Sequence, residues 1–304
     1  MKLKQIIDAF KLKVLSEGPE DMEVVIANVN RCGMNLGGFY GHFDERRVQI
    51  IGKAEHALLE TFSPDEYQRA MVTLLDKEIP GIILTNDLTL SDEVIDYARK
   101  SRKWILSTER ETSDYLIDQA LYLQNQLAPS ITIHGVLLDL FGIGVLIKGD
   151  SGIGKSVTAI ELIRRGHLFV ADDVVIVKKL SSHLLVGEPQ QLTKNLIECR
   201  GVGIVNVNSL FGKSAVRQSA TIDMIIGLHK WDDEKNYKGI GEVIETETLM
   251  GVELPVINIP VKPGQLVPTS IIEIGALNLR QNQMGYNTAR ELLKSVRSMM
   301  SPGA

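Results

Sequence analysis

Residues Gly149-Asp150-Ser151-Gly152-Ile153-Gly154-Lys155-Ser156 satisfy the pattern G-x-x-x-x-G-K-[ST] at every fixed position. The pattern constrains the fold because such a loop works only between a buried strand and a helix. The strand delivers the loop, glycines let successive N–H groups turn inward on phosphate oxygens, and the helix start adds its positive dipole end. The flanks meet that demand: Gly144-Val145-Leu146-Ile147-Lys148 is an apolar run of strand length, and Val157 to Arg165 reads as helix. The expectation is a polyphosphate site in which Gly149 to Ser156 cradle the phosphates, Lys155 reaches the outer ones and the Ser156 hydroxyl ligates Mg²⁺. A strand–loop–helix start of this kind belongs to an α/β architecture.

The chain has 304 residues, enough for two domains with a core each. Its formal net charge of −5 argues against general nucleic-acid binding and against an anionic membrane surface. No apolar run approaches the ~18 residues of a membrane span, and Met1 to Phe10 alternates charge with apolar residues rather than forming a signal-peptide core. Two distant cysteines, Cys32 and Cys199, form no disulfide framework or metal knuckle, so a reducing cytoplasm is the expected location.

Before the loop the chain alternates strand and helix patterns. Residues 1–16 read as an amphipathic helix, Val24-Val25-Ile26 as a strand, and Asn30 to Gly41 as a glycine-rich loop. That loop suits ordinary turn chemistry better than an anion site. Val48 to Gly52, Gly81 to Thr85 and Trp104 to Ser107 are strand patterns. Helices are expected from Ser63 (N-cap, Pro64 first, Glu66 closing a capping box) to about Asp76, from Ser91 to about Ser101, and over Thr112 to Gln126. Alternation of this kind predicts a parallel α/β domain over residues 1–128. Leu127-Ala128-Pro129-Ser130 marks the boundary, and residues 129–304 form the phosphate-loop domain. There, Ile131 to Ile147 reads as two strands around a turn at Phe141-Gly142. His167 to Asp173 is a strand ending in two aspartates, Val174 to Gly187 a hairpin, and Ile222 to Leu228 and Leu254 to Gly264 further strands. Trp231 to Gly241 is polar. Residues from Thr269 onward read as helix, broken at Met284 to Asn287, with an apolar face at Ala289, Leu292, Leu293 and Val296.

Phosphoryl transfer requires a group to take the acceptor's proton. Asp172 and Asp173, at a strand end soon after the loop helix, are placed for it. One of them suits a general base; a metal-holding aspartate or a strand-end cap fits the same position. His134 stands beside Gly135 at a strand end, where a lone histidine is more often structural than functional. Glu198, next to Arg200, suits either a second metal ligand or a surface ion pair. Lys262-Pro263-Gly264-Gln265 suits either a phosphate-facing cation or a turn.

Taken together, five segments resemble the bifunctional HPr kinase/phosphorylase family. They are His134-Gly135-Val136-Leu137-Leu138-Asp139, Gly149 to Ser156, Arg165-Gly166-His167 with Ala171-Asp172-Asp173, Glu198 to Val207, and Pro260-Val261-Lys262-Pro263-Gly264. The first half is similar at Asn35 to Tyr40 and Arg47 to Glu55. The resemblance implies an ATP- and Mg²⁺-dependent kinase for a serine of HPr, the phosphocarrier of the sugar phosphotransferase system. It also implies removal of that phosphate by inorganic phosphate to give pyrophosphate, and a role in regulating carbon metabolism. It makes Lys155 the phosphate cation, Ser156 and Glu198 the magnesium ligands, Asp173 the base with Asp172 beside it, and His134 a partner of Asp173 or the phosphate. It assigns dephosphorylation to 260–265, a homohexamer whose C-terminal helix helps form a neighbour's site, and a second domain resembling the nucleotide domain of phosphoenolpyruvate carboxykinase.

Three positions depart from the family pattern. Gly239, after Tyr237-Lys238, stands where the family has an arginine, and Lys262 and Gln265 replace two more. Lysine keeps charge without the bidentate fork; glycine and glutamine keep neither. Weaker phosphate-dependent dephosphorylation is expected, with Lys238 as a partial substitute. Two other functions share the same loop: a kinase of a different acceptor, and a nucleotide-sensing module without turnover.

Overall fold

The computed structural model describes residues 1–232, 245–262 and 264–286. Gly239 and its neighbours, Pro263, and the face at Ala289 to Val296 lie outside the described residues. Two compact units divide the chain, Met1–Ala128 and Pro129–Ala304.

The first unit contains α1 (Leu3–Phe10), β1 (Lys13–Ser16), β2 (Asn30–Arg31), α2 (Gly33–Leu36), β3 (Gln49–Ile51), α3 (Lys53–Glu60), α4 (Pro64–Leu75), β4 (Ile82–Leu84), α5 (Asp92–Lys100), β5 (Ile105–Ser107) and α6 (Thr112–Gln126). The sheet order is β1-β5-β4-β3-β2, parallel except for β1, which runs antiparallel to β5. One face packs Ile51, Ile82 and Leu84 against the helices that come after β2 to β4; the other packs Ile50, Ile83 and Leu106 against α1 and α6. The α4 start obeys its sequence signal: Ser63 N–H donates to Glu66 Oε2 at 2.9 Å, and Glu66 N–H returns to Ser63 Oγ at 3.4 Å.

Several local expectations are corrected. The 1–16 helix stops at Phe10, because Lys11 turns left-handed (φ 52°) and Lys13 to Ser16 are taken up by β5. Val24 to Ile26 is no strand; Val24 is buried, with only an isolated Lys2–Glu23 bridge beside it. The glycine-rich loop contains β2 and the single turn α2. Helix α3 is an addition to the expected elements, although its start is written as Gly52-x-x-Glu55, with Gly52 N–H donating to Glu55 Oε2 at 3.0 Å.

Glu55 is buried and receives Nε and Nη2 of Arg31, each at 3.0 Å. Burial pushes its carboxyl up, but the Arg31 fork and the Gly52 and Glu55 N–H groups together hold it below its ordinary value. A depressed folded pKa stabilises above the unfolded value of about 4.3 and loses that contribution as pH falls through it. Because Arg31 is half-exposed, Glu55→Gln should lower stability by about 1–2 kcal/mol at pH 7. The difference should begin to narrow as pH falls below about 4.3 and vanish only below the still lower folded value, as measured by chemical denaturation across that range.

The second unit contains β6 (Ser130–His134), β7 (Val136–Leu140), β8 (Ile143–Gly149), α7 (Lys155–Arg164), β9 (Leu168–Ala171), β10 (Val174–Lys179), β11 (Leu185–Pro189), β12 (Leu196–Cys199), β13 (Gly203–Asn206), α8 (Val207–Phe211), β14 (Ala220–Thr221), β15 (Met224–Lys230), β16 (Thr246–Leu249), β17 (Val252–Val261) and α9 (Thr269–Gln283). A six-stranded sheet runs β16-β17-β15-β8-β7-β9, a four-stranded sheet β14-β11-β10-β6, and β12-β13 is a separate hairpin. Where two strands are expected before the loop there are three, since the chain leaves one sheet and enters the other at Gly135. The Phe141-Gly142 turn falls as expected, both residues at positive φ. Leu137, Leu146 and Ile225 meet Val175, Val177 and Leu185 between the sheets. On the other face Val145, Ile147 and Ile226 meet α7 and α9.

β8 is parallel to β15, and β15 to β17, while β7 runs antiparallel to both β8 and β9. The carboxyl ends of β8, β9, β15 and β17 therefore open on one edge, where α/β sheets bind ligands.

Candidate phosphoryl-transfer site

The loop leaves β8 at that edge. Gly149, Gly152 and Gly154 adopt φ of 149°, 80° and 111°, and a Cβ on Gly149 would lie 2.5 Å from Leu228 O, so glycine is required by conformation and by space. Lys155 begins α7 with its Nζ folded back, donating to Gly149 O at 2.9 Å and Asp150 O at 3.0 Å. The ammonium thus sits over the loop on carbonyls that phosphate oxygens can replace.

Asp172 and Asp173, indistinguishable by sequence, have different environments. Asp172 is buried and accepts the Ser156 hydroxyl at 3.0 and 3.1 Å on its two oxygens and the Glu198 N–H at 3.1 Å. Burial raises its carboxyl above the ordinary value, and the neighbouring Asp173 charge adds to this, against the opposing pull of those donors. Asp173 projects outward, its side chain 79% exposed, with Oδ1 3.7 Å from His134 Nδ1. Its φ is 65°, and Val174 N–H donates across it to Asp172 O at 2.8 Å, a tight γ-turn that L-residues adopt at a cost. The turn sends the two carboxylates to opposite environments. His134 is the register partner of Val174 across β6 and β10, which places it beside Asp173.

The structure thus brings together Lys155, Ser156, Asp172, Asp173, His134 and the Glu198 main chain. The Glu198 carboxylate is exposed, opposite Ile204 in the β12–β13 register and away from the core-facing Ile197. Among the described residues no cluster of three or more His, Cys, Asp or Glu side chains is arranged to hold a metal. A magnesium ion needs no such cage, because it takes one or two protein oxygens and completes its shell with phosphates and water. The Ser156 hydroxyl against the Asp172 carboxylate, whose donors named above are neutral, fits that requirement.

Lys262 and Gln265 form a turn, with Gln265 N–H donating to Lys262 O at 3.1 Å. Three residues not singled out from the sequence also reach this edge. Arg200 lies over the loop, its Nη2 3.1 Å from where a Gly152 Cβ would stand. Lys230 Nζ is 3.9 Å from Asp150 Oδ2, and the Trp231 ring carries Lys262 Nζ at 4.3 Å from its centroid. Only the Glu-x-Arg spacing pointed toward Arg200; nothing local pointed to Lys230 or Trp231.

Comparison with known proteins identifies the family. The family model described as HPr Serine kinase N terminus matches residues 1–123, and that of the HPr Serine kinase C-terminal domain matches residues 125–296. An HPr kinase/phosphorylase of Caldicellulosiruptor bescii is 39% identical over 301 residues, covering 98% of this chain and 96% of that one. One of Thermoanaerobacter sp. (strain X514) is 40% identical over 295 residues, covering 97% and 96%. A solved structure, the Hpr(Ser) kinase/phosphatase from Coxiella burnetii, is 32% identical with a TM-score of 0.46, covering 53% of this chain and 98% of that one. Two family models that together cover residues 1–123 and 125–296, and curated relatives 39–40% identical over 97–98% of the chain, leave one assignment: this chain belongs to the HPr kinase/phosphorylase family.

Proposed function

We propose that the chain transfers the terminal phosphoryl group of ATP to a seryl hydroxyl of HPr. In the same site, inorganic phosphate attacks the phosphoserine, releasing the hydroxyl and forming pyrophosphate. The observation that carries this reading is the meeting of the phosphate loop with two aspartates of opposite environment at one sheet edge. Lys155 exchanges its two carbonyl partners for phosphate oxygens, and the loop N–H groups hold the rest. Asp173, exposed and next to His134, accepts the seryl proton as the hydroxyl oxygen attacks phosphorus, and returns it to the leaving seryl oxygen in the reverse direction. His134 interacts with Asp173 or with the transferred phosphate. Asp172 orients the Ser156 hydroxyl, and these two would provide oxygens for magnesium; Glu198, which holds Asp172 through its main-chain N–H, would join them only if its exposed carboxylate turned inward. When bound, magnesium would supply charge neutralisation to the phosphates. Division at 128/129, a homohexamer and a cytoplasmic location complete the reading.

Incubating the chain with labelled ATP, magnesium and purified HPr tests it: phosphoserine on HPr is expected, and nucleotide binding without transfer overturns it. The two directions should also differ. Arginine forks are absent at Gly239, Lys262 and Gln265, and a lost phosphate-clamping arginine can cost orders of magnitude in rate. Phosphorolysis of phospho-HPr should run at least about tenfold slower than the kinase reaction; equal rates would refute this.

A further inference from the structure

Arg165, Gly166 and His167 form the turn between α7 and β9, the two elements that bring Ser156 and Asp172 together. Gly166 takes φ 96°, its N–H donates to Ile163 O at 2.9 Å, and His167 N–H donates to Leu162 O at 3.1 Å, a Schellman closure after which the strand begins at once. A single carboxylate, on Glu273 of α9, straddles this turn. Its Oε2 accepts Arg165 Nη1 at 3.0 Å, and its Oε1 lies 2.9 Å from His167 Nε2. A carboxylate only accepts, so Nε2 carries the proton. The pair is shielded from water: the His167 side chain is 5% exposed and that of Glu273 17%. The Phe141 ring stands edge-on to the imidazole, centroids 4.7 Å apart. Arg165 is also braced by Glu161 at 3.3 Å. The chain around α9 reaches the other end of α7 as well. Val267 Cγ2, just before α9, is 4.0 Å from where a Gly154 Cβ would stand. Between the two ends, Ile272 and Ala276 pack in one core with Ala159, Leu162 and Ile163. This segment therefore splints α7 from the phosphate loop to the turn. The ten residues of α7 set the turn about 15 Å from Ser156.

We infer that Glu273 is a positioning residue: it holds the end of α7 with one oxygen and the start of β9 with the other, and so fixes the meeting of the Ser156 hydroxyl with the Asp172 carboxylate at the far end of both elements. The inference rests on the functional reading above, in which those two groups serve magnesium. A tilt of α7 about the turn is largest at the opposite end of the helix, and a displacement of about 1 Å at a reacting centre can cost about a hundredfold. Lys155, on a flexible stem, absorbs such a tilt. The short side chains of Ser156 and Asp172 do not.

Calorimetric titration of ATP, once with magnesium and once with a chelator in its place, tests the inference on wild type, Glu273→Met, Glu273→Gln, Ser156→Ala and the Glu273→Met/Ser156→Ala double variant. Ile272→Val, a methyl removed from the core face of the same helix, is the control for loosened packing, and unfolding midpoints check that each variant is folded. Glu273→Met should weaken magnesium–ATP binding about tenfold and leave ATP binding without magnesium within about twofold. Glu273→Gln should retain much of the wild-type affinity, because a neutral imidazole can change tautomer and accept from the amide. Ile272→Val should lower the midpoint without changing the ratio of the two affinities. Once Ser156→Ala has removed the hydroxyl, Glu273→Met should cost little more. If Glu273→Met does not fold, Arg165→Met, at a half-exposed side chain, takes its place with a smaller loss of the same kind. Equal losses with and without magnesium, no loss in the folded variant, or fully additive losses with Ser156→Ala overturn the inference while leaving the phosphate-loop reading intact. A wild-type chain whose ATP affinity does not depend on magnesium overturns both.

Discussion

Asp173→Asn is expected to lower phosphoryl transfer to HPr by about 10²–10⁴-fold, the range a positioned general base contributes. Magnesium–ATP affinity should stay within about twofold, since charge on the loop side is carried by Lys155 and Asp172. The structure makes this substitution a clean one. Asp173 sits at φ 65°, a region that asparagine tolerates as well as aspartate. Its side chain is 79% exposed and spans no core contact, so the γ-turn and the Asp172 hydrogen bonds should survive. Alanine would confound the result by adding backbone strain. Transfer rate and nucleotide affinity should be measured on the same preparation; a variant that transfers within about threefold of wild type would remove Asp173 from the base role. The expectation is opposite in kind at Asp172, where loss should appear in the use of magnesium and nucleotide before it appears in the proton's fate.

The largest expected effect on folding is at Gly144. A Cβ there would lie 1.5 Å from Thr221 O and 2.7 Å from its carbonyl carbon. The backbone cannot slide to relieve this overlap. Gly144 N–H donates to Asp223 Oδ2 at 2.7 Å, Asp223 N–H returns to Gly144 O at 2.9 Å, and Thr221 Oγ1 donates to the same Asp223 oxygen at 2.8 Å. Gly144→Ala should therefore cost more than about 4 kcal/mol, the regime of forced backbone displacement. That corresponds to a fall of roughly 10 °C in the unfolding midpoint. Gly142→Ala is the comparison: φ is 86°, with nothing within 4 Å of the added carbon. It should cost only the left-handed penalty of about 1–2 kcal/mol. Equal losses from the two substitutions would show that the strand yields to relieve the approach of Thr221 and that the close contact is not decisive. Because β8 delivers the phosphate loop, nucleotide affinity in Gly144→Ala should fall with stability.

Features legible directly in the chain were local. The phosphate loop, the Phe141-Gly142 turn and the Ser63–Glu66 capping box each depend on a few consecutive residues whose conformational demands are written in their types. The alternation of strand and helix patterns carried the α/β class for the same reason. Errors arose where neighbours in space decided the outcome. Lys13 to Ser16 became a strand because β5 had an unpaired edge to offer, and Ile131 to Ile147 became part of three strands because the chain changes sheets at Gly135. Neither partner is visible in a window of ten residues.

The candidate site divides in the same way. Sequence alone determined that this chain presents phosphate-binding N–H groups, a loop lysine, a loop hydroxyl and an adjacent carboxylate pair, because loop and strand end are continuous segments. Only the tertiary structure decided which carboxylate is which. The γ-turn at Asp173 buries Asp172 against Ser156 and the Glu198 main chain and leaves Asp173 in the open beside His134. Tertiary packing also brought Arg200 and Lys230 to the loop and set Trp231 against Lys262 where β15 and β17 end. Sheet order sets which strand ends are neighbours, and that order is fixed by long-range packing and hydrogen bonding, which no local spacing of residues encodes.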